Sequence, residues 1–208
     1  DVIRQWVREQ VNQCGSKPFS TNELATRHYI GAYTATDVDT FERGFLVANY
    51  AILGMNEGMD SALFWGLHDQ YYYDGNPEDG SNGGLMKTNL MAYVDEDWRL
   101  RPSGQAWTLV CHAAPCGAQV YHGQTTDTGV DAVALVLPEN KGTNVLIVNR
   151  NMDQRHLDIQ ILPGQKSEET AYIVTMFTRD GINKQGAIPS QKVDIPGESL
   201  VLFSSIPD

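Results

Sequence analysis

Two short runs of the same plan, residues 17–23 and 61–67, stand on either side of one amphipathic helix. A helix between two strands supplies the crossover that a parallel pair requires, so the order alone favours parallel pairing. The first run, Lys17-Pro18-Phe19-Ser20-Thr21-Asn22-Glu23, ends on a carboxylate, and the second, Ser61-Ala62-Leu63-Phe64-Trp65-Gly66-Leu67, delivers an indole. Read as two buried strands, they bring an acid and an apolar ring face to one edge of a sheet. A parallel sheet of two strands leaves both outer edges unpaired and is marginal in water. The expectation is therefore that these strands join others outside this sequence, most simply from a portion preceding Asp1.

The rest of the chain divides by its period. Val2, Ile3, Trp6, Val7, Val11 and Cys14 recur at helical spacing as far as Gly15. Residues 24–36 read as a loop. Asp39 followed by Glu42 resembles a capping box, and Phe41, Phe45, Ala48, Ile52 and Leu53 make one face of the helix it opens. A long irregular stretch covers residues 68–100, with Asp-Gly and Gly-Gly pairs at its centre, and loops of that length are usually functional or disordered. Pro102 sits where a helix begins, with Ala106, Leu109, Val110 and Ala113 as its buried face. After Gly117 the period becomes two. Residues 130–137, 143–149, 157–162, 171–177, 191–195 and 200–204 read as short strands between turns, which predicts an antiparallel β-sandwich. The fold class is thus α/β plus all-β, divided at residues 1–120 and 121–208.

Charge and motif content exclude several functions. With 26 acidic against 15 basic residues and no basic cluster, the chain repels phosphate backbones, so nucleic acid is not an expected partner. No apolar run approaches the roughly 20 residues that span a bilayer. The three cysteines, Cys14, Cys111 and Cys116, have no Cys-x-x-Cys spacing; small buried residues are expected, with a Cys111–Cys116 bridge as the alternative. The acidic, glycine-rich residues 74–84 fail the EF-hand register, because Asp79 stands where that loop needs glycine. No metal site is expected. Neither a phosphate loop nor a serine nucleophile elbow is present.

Pro18-Phe19-Ser20-Thr21-Asn22-Glu23, the connecting helix, Leu63-Phe64-Trp65-Gly66, the loop to Gly84-Leu85 and Trp98-Arg99-Leu100-Arg101-Pro102 before a last helix resemble the end of a clan A glycoside hydrolase. That resemblance implies the C-terminal part of a (β/α)8 TIM barrel, its last two strands and helices in residues 1–120, followed by the sandwich in 121–208. It implies a retaining glycosidase acting on oligo- or polysaccharide, with Glu23 as nucleophile, Trp65 as the floor of a sugar subsite and no cofactor. It also favours a secreted or extracellular setting. Retention needs two carboxyl groups roughly 5–5.5 Å apart. The second, the acid/base, is expected in an N-terminal barrel portion of the same protein or of a companion chain, so the isolated chain is expected to be inactive. Asn22-Glu23 also resembles the acid/base motif on the fourth barrel strand of such enzymes. Four more strand–helix units should then follow before the sandwich, and only one strand does. Asn22 directly precedes Glu23 and His28 and Tyr29 lie just beyond it, so these three are candidates for substrate binding, with His28 or Tyr29 able to orient the nucleophile instead. His68 and Asp69 either hydrogen-bond sugar hydroxyls or stabilise the turn after Trp65, and Tyr71-Tyr72-Tyr73 could line a cleft. His112, His122 and His156 read as structural. The alternative is a non-catalytic carbohydrate-binding protein; a weaker third possibility is an interaction domain that uses the sandwich alone.

Overall fold

A computed structural model of the chain describes residues 2–24, 29–30, 34–35, 37–71, 85–159, 171–188 and 192–205. Helix α1 (Val2–Cys14) leads to strand β1 (Ser20–Leu24), and a small antiparallel pair follows, β2 (Tyr29–Ile30) with β3 (Thr34–Ala35). Helix α2 (Phe41–Asn56) crosses over to β4 (Ser61–Phe64), which pairs with β1 in parallel. Beyond it lie the short pair β5 (Gln70–Tyr71) and β6 (Leu85–Met86), then helix α3 (Pro102–Ala113). Eight strands complete the chain: β7 (Gln119–His122), β8 (Val130–Val136), β9 (Thr143–Asn149), β10 (Arg155–Asp158), β11 (Tyr172–Thr178), β12 (Gly181–Ile188), β13 (Lys192–Ile195) and β14 (Ser199–Ser204).

Six of these strands form one antiparallel sheet in the order β12-β11-β14-β9-β8-β7. Both of its faces are covered, and the two covers differ. Leu146 and Val148 of β9, Leu200 and Leu202 of β14, and Val133 and Leu135 of β8 share one apolar core with Ala48 and Ile52 of α2 and Ala106, Leu109, Val110 and Ala113 of α3. The alternate residues Val145, Ile147, Val201 and Phe203 pack with Val193 and Ile195 of β13. A two-stranded β10–β13 ladder is therefore the second layer of the expected sandwich, and helices are the third. Period two on both faces explains why β9 is buried along its whole length. The helix–sheet contact is close at Gly44, where an added Cβ would stand 2.5 Å from the Pro102 carbonyl oxygen and 2.7 Å from the Phe177 ring.

Several expectations need correction. Thr40, not Asp39, caps α2: its Oγ1 accepts from the Arg43 N–H at 3.3 Å, while Asp39 pairs with arginines and Glu42 pairs with Arg179. Cys111 and Cys116 are exposed free thiols rather than buried residues. Cys111 lies off the stripe formed by positions 106, 109, 110 and 113, and Cys116 sits in the turn after α3. Two sheet strands, β7 and β12, carry no alternation because both are edges whose residues are mostly solvent-facing. Finally, β4 is not a buried strand. Ser61 and Leu63 are exposed, and β4 has β1 as its only strand partner among the described residues. Along α1 only Val7 is buried, and the Trp6 ring lies half open against Phe19 and Tyr50.

Candidate functional site

The parallel pair is fixed at its start and irregular at its end. The Phe19 N–H donates to Asp60 Oδ2 at 2.8 Å, the Asp60 N–H returns a bond to the Phe19 carbonyl at 2.9 Å, and Ser61 Oγ donates to Ser20 Oγ at 2.7 Å. Ser20 then stands opposite Ser61 and Thr21 opposite Ala62. The next matched pair is Leu24 with Phe64, so β1 advances three residues while β4 advances two. The extra residue lies at Asn22-Glu23. A bulge of this kind turns a side chain out of the pleat, and bulges concentrate beside active sites. Glu23 is thus in a bulged segment at the C-terminal end of β1, and Trp65 follows directly on the C-terminal end of the neighbouring strand. The side chains of Asn22, Glu23 and Tyr29, and all of His28, lie outside the described part of the chain.

Trp65 is 43% exposed and so is not a core residue. Behind it the chain is pinned by Asn89. Its Nδ2 donates to the His68 carbonyl at 2.7 Å, and its Oδ1 would lie 2.6 Å from a Cβ added at Gly66, so only glycine fits there. The His68 Nδ1 lies 2.7 Å from the Asp69 carbonyl oxygen. A carbonyl only accepts, so Nδ1 carries a proton and donates it there. Asp69 itself is fully buried: Arg101 Nη2 donates to its Oδ2 at 2.5 Å and the Asn89 N–H to its Oδ1 at 3.3 Å. Of the two roles open to Asp69, stabilising the turn is the one this geometry provides; a carboxylate without exposure is not available to a sugar hydroxyl.

Arg101 joins the two loops that follow the parallel strands. Besides Asp69, it donates to Asp39 Oδ1 at 2.6 Å, and Arg99 donates to the same oxygen at 2.8 Å. Arg43, also buried, reaches Asp37 at 3.0 Å and the Thr88 carbonyl at 3.1 Å. Glu96 accepts from Lys87 at 2.8 Å and from Arg99 at 2.7 Å. Burial is the largest single influence on Asp39 and pushes its carboxyl up, but the hydrogen bonds from Arg99 and Arg101 together outweigh it and hold the carboxyl below its ordinary range. Hydrogen bonds from Lys87 and then Arg99 hold Glu96 low in the same way. Asp37, Asp39, Asp69 and Glu96 are thus all committed to cations.

Solved structures of similar shape share this arrangement of elements. The catalytic domain of glycoside hydrolase family 30 xylanase C from Talaromyces cellulolyticus matches at TM-score 0.68 and 15% identity, covering 91% of this chain and 41% of its own. A family 30 endoxylanase from Clostridium papyrosolvens matches at 0.63 and 12%, covering 95% and 45%. A family 44 xyloglucanase from Paenibacillus polymyxa matches at 0.55 and 13%, covering 95% and 34%. The likeness is to glycoside hydrolases, and at such identity it is a likeness of fold. The chain spans less than half the length of each of these structures. No protein-family model matches the sequence, and no curated protein matches it.

The candidate residues fall into three groups. Trp65, His68 and Asp69 belong to one pinned loop after β4. Tyr29 and Tyr71 are described only as backbone, in β2 and β5, and residues 72–84, with the acidic glycine-rich stretch, lie outside the described residues. His112 and His122 are exposed on α3 and β7, and His156 pairs with Asp194 across the β10–β13 ladder. Sequence reasoning passed over Arg43, Asn89 and Arg101, the residues that hold the loops. A lone arginine or asparagine reads as surface, since such side chains are almost never buried unless paired. The one available signal was the place of Arg101 directly before the proline that opens α3.

Proposed function

We propose that the chain is the C-terminal part of a clan A retaining glycoside hydrolase, its parallel pair being the last two strands of a (β/α)8 barrel and its antiparallel part the following sandwich. Glu23 attacks the anomeric carbon and forms a glycosyl-enzyme intermediate. An acid/base from a barrel portion outside this chain protonates the leaving oxygen and then activates water. Trp65 holds the C–H face of the sugar, using a rigid apolar surface at little entropic cost. Carbohydrate and the rest of the barrel are the two partners this reading requires. One observation carries it: a bulged glutamate segment and a half-exposed indole stand at the same, C-terminal end of two neighbouring parallel strands. The fold likeness to family 30 and family 44 enzymes supports it.

The test is Glu23→Gln in the protein complete with its barrel, assayed for release of reducing ends from xylan, xyloglucan and β-glucan. Turnover is expected to vanish while the fold, followed by circular dichroism, is retained. Near-normal hydrolysis rejects the assignment of Glu23.

A second reading, a non-catalytic carbohydrate-binding protein, is favoured by one observation: Asp37, Asp39, Asp69 and Glu96, four of the carboxylates in the two loops, are each ion-paired and so not free to assist. Saturable oligosaccharide binding with no hydrolysis, both in the complete protein and in its Glu23→Gln variant, would select it.

A further inference from the structure

We infer that Trp98 and His68 form a second sugar subsite beside the Trp65 platform, one that takes a neutral pyranose unit of the same saccharide; this rests on the carbohydrate reading above. Residues 92–99 form a small hairpin, closed by the Ala92 N–H donating to the Arg99 carbonyl at 2.9 Å. At its turn two consecutive non-glycine residues lie in the left-handed region, Asp97 at φ 55° and Trp98 at φ 53°. Aspartate tolerates that conformation. For a bulky residue it is an outlier, with a conformational cost that glycine would not incur. Burial does not recover the cost, because Trp98 is 41% exposed. A strained backbone therefore presents a large aromatic face to solvent.

Two neighbours orient that face. The His68 ring meets the Trp98 ring edge-on, with centroids 5.1 Å apart at 75°, and Tyr93 lies at 5.6 Å. His68 is three residues after Trp65, in the loop whose carbonyl Asn89 holds, so both indoles are tied to one pinned segment. With Nδ1 donating to the Asp69 carbonyl, Nε2 is the ring nitrogen of His68 that remains to hydrogen-bond a sugar hydroxyl beside an apolar ring. That combination, a flat C–H-binding face with one hydrogen-bonding group at its edge, suits a pyranose. Asp95 and Asp97 are exposed on the same turn, so a uronate unit would meet like charge there and a neutral unit would not.

The experiment measures affinity by calorimetry for xylo- and cello-oligosaccharides of two to six units, and for one bearing a uronate, with wild type, Trp98→Gly, Trp98→Phe and Trp65→Ala. Trp98→Gly removes the ring and relieves the backbone together, so its melting midpoint should equal or exceed that of wild type. It should weaken the longer ligands about tenfold or more while leaving the shortest unchanged. Trp98→Phe should restore part of the loss, and Trp65→Ala should weaken every length. Wild type should prefer the neutral ligand to the uronate. If Trp98→Gly leaves the length dependence intact while Trp65→Ala abolishes binding, the second subsite is overturned and the carbohydrate reading stands. If wild type binds none of the ligands, both fall.

Discussion

Two of the sheets of this protein, the six-stranded antiparallel sheet and the parallel pair, reach opposite states of completion. In the six-stranded sheet each inner strand has two ladder partners, and the central strand β9 is covered on both faces, by α2 and α3 on one side and by β13 on the other. In the parallel pair each strand has one partner among the described residues, and Leu63, a β-strand leucine, is 62% exposed. A finished sheet derives its stability from burial. The parallel pair is held instead by polar clamps at its two ends: Asp60 and Ser61 at the start, and the arginine network over the loops at the finish. Stability and the candidate chemistry are therefore located in different places, which is how a rigid scaffold ordinarily serves a site.

The difference can be broken most severely at Arg101. Arg101→Met leaves the buried Asp69 carboxylate without its cation, a loss expected to cost about 3–5 kcal/mol in urea unfolding. Adding Asp69→Asn should recover much of that, because the neutral amide no longer needs a counter-charge; equal destabilisation of the single and double variants would mean the pair is incidental. Leu202→Ala in the finished sheet comes next, expected at about 2–5 kcal/mol from lost burial and the cavity it leaves. Unlike Arg101→Met, it should leave the loops over the parallel pair as protected from hydrogen exchange as in wild type. A smaller effect follows from pH. The folded-state pKa values of Asp39 and Glu96 lie below their unfolded ones, so the clamp contributes fully above about pH 4–5 and is lost as pH falls through the depressed values. Both side chains are partly exposed, so the loss should appear as faster hydrogen exchange at residues 87–101 rather than as global unfolding.

The same contrast governs what the sequence reveals. Buried faces announce themselves: Ala106, Leu109, Val110 and Ala113 mark α3, and the apolar run Val145-Leu146-Ile147-Val148 between polar residues marks β9. Edges do not. Gln-Val-Tyr-His in β7 and Gly-Ile-Asn-Lys-Gln-Gly-Ala-Ile in β12 bury little, so no period is imposed on them. The site divides along the same line. The places of Glu23 and Trp65 at the C-terminal ends of two strands were legible, because a short strand-like run leads into each. The bulge before Leu24 was not, because register is a property of two strands and neither one encodes it alone. Arg43 and Arg101 were missed for a related reason: much of what holds them buried lies far away in the chain, Asp39 and Asp69 for Arg101 and the Thr88 carbonyl for Arg43.

The smallest expected effect is the one that most sharpens the comparison. Leu63 lies on β4 between the irregular end of β1 and solvent, and at 62% exposure its side chain has little burial to lose. Leu63→Ser should therefore change the stability of the 208-residue chain by no more than about 0.5 kcal/mol, the usual range for a surface substitution. A leucine in a finished sheet could not be replaced so cheaply, as Leu202 should demonstrate in the same buffer. If further strands complete the parallel sheet, the same substitution should become costly only in the completed protein, since the leucine then faces a core. A loss of 2 kcal/mol or more in the chain alone would mean that Leu63 is already covered, and the open face on which the barrel proposal depends would not exist.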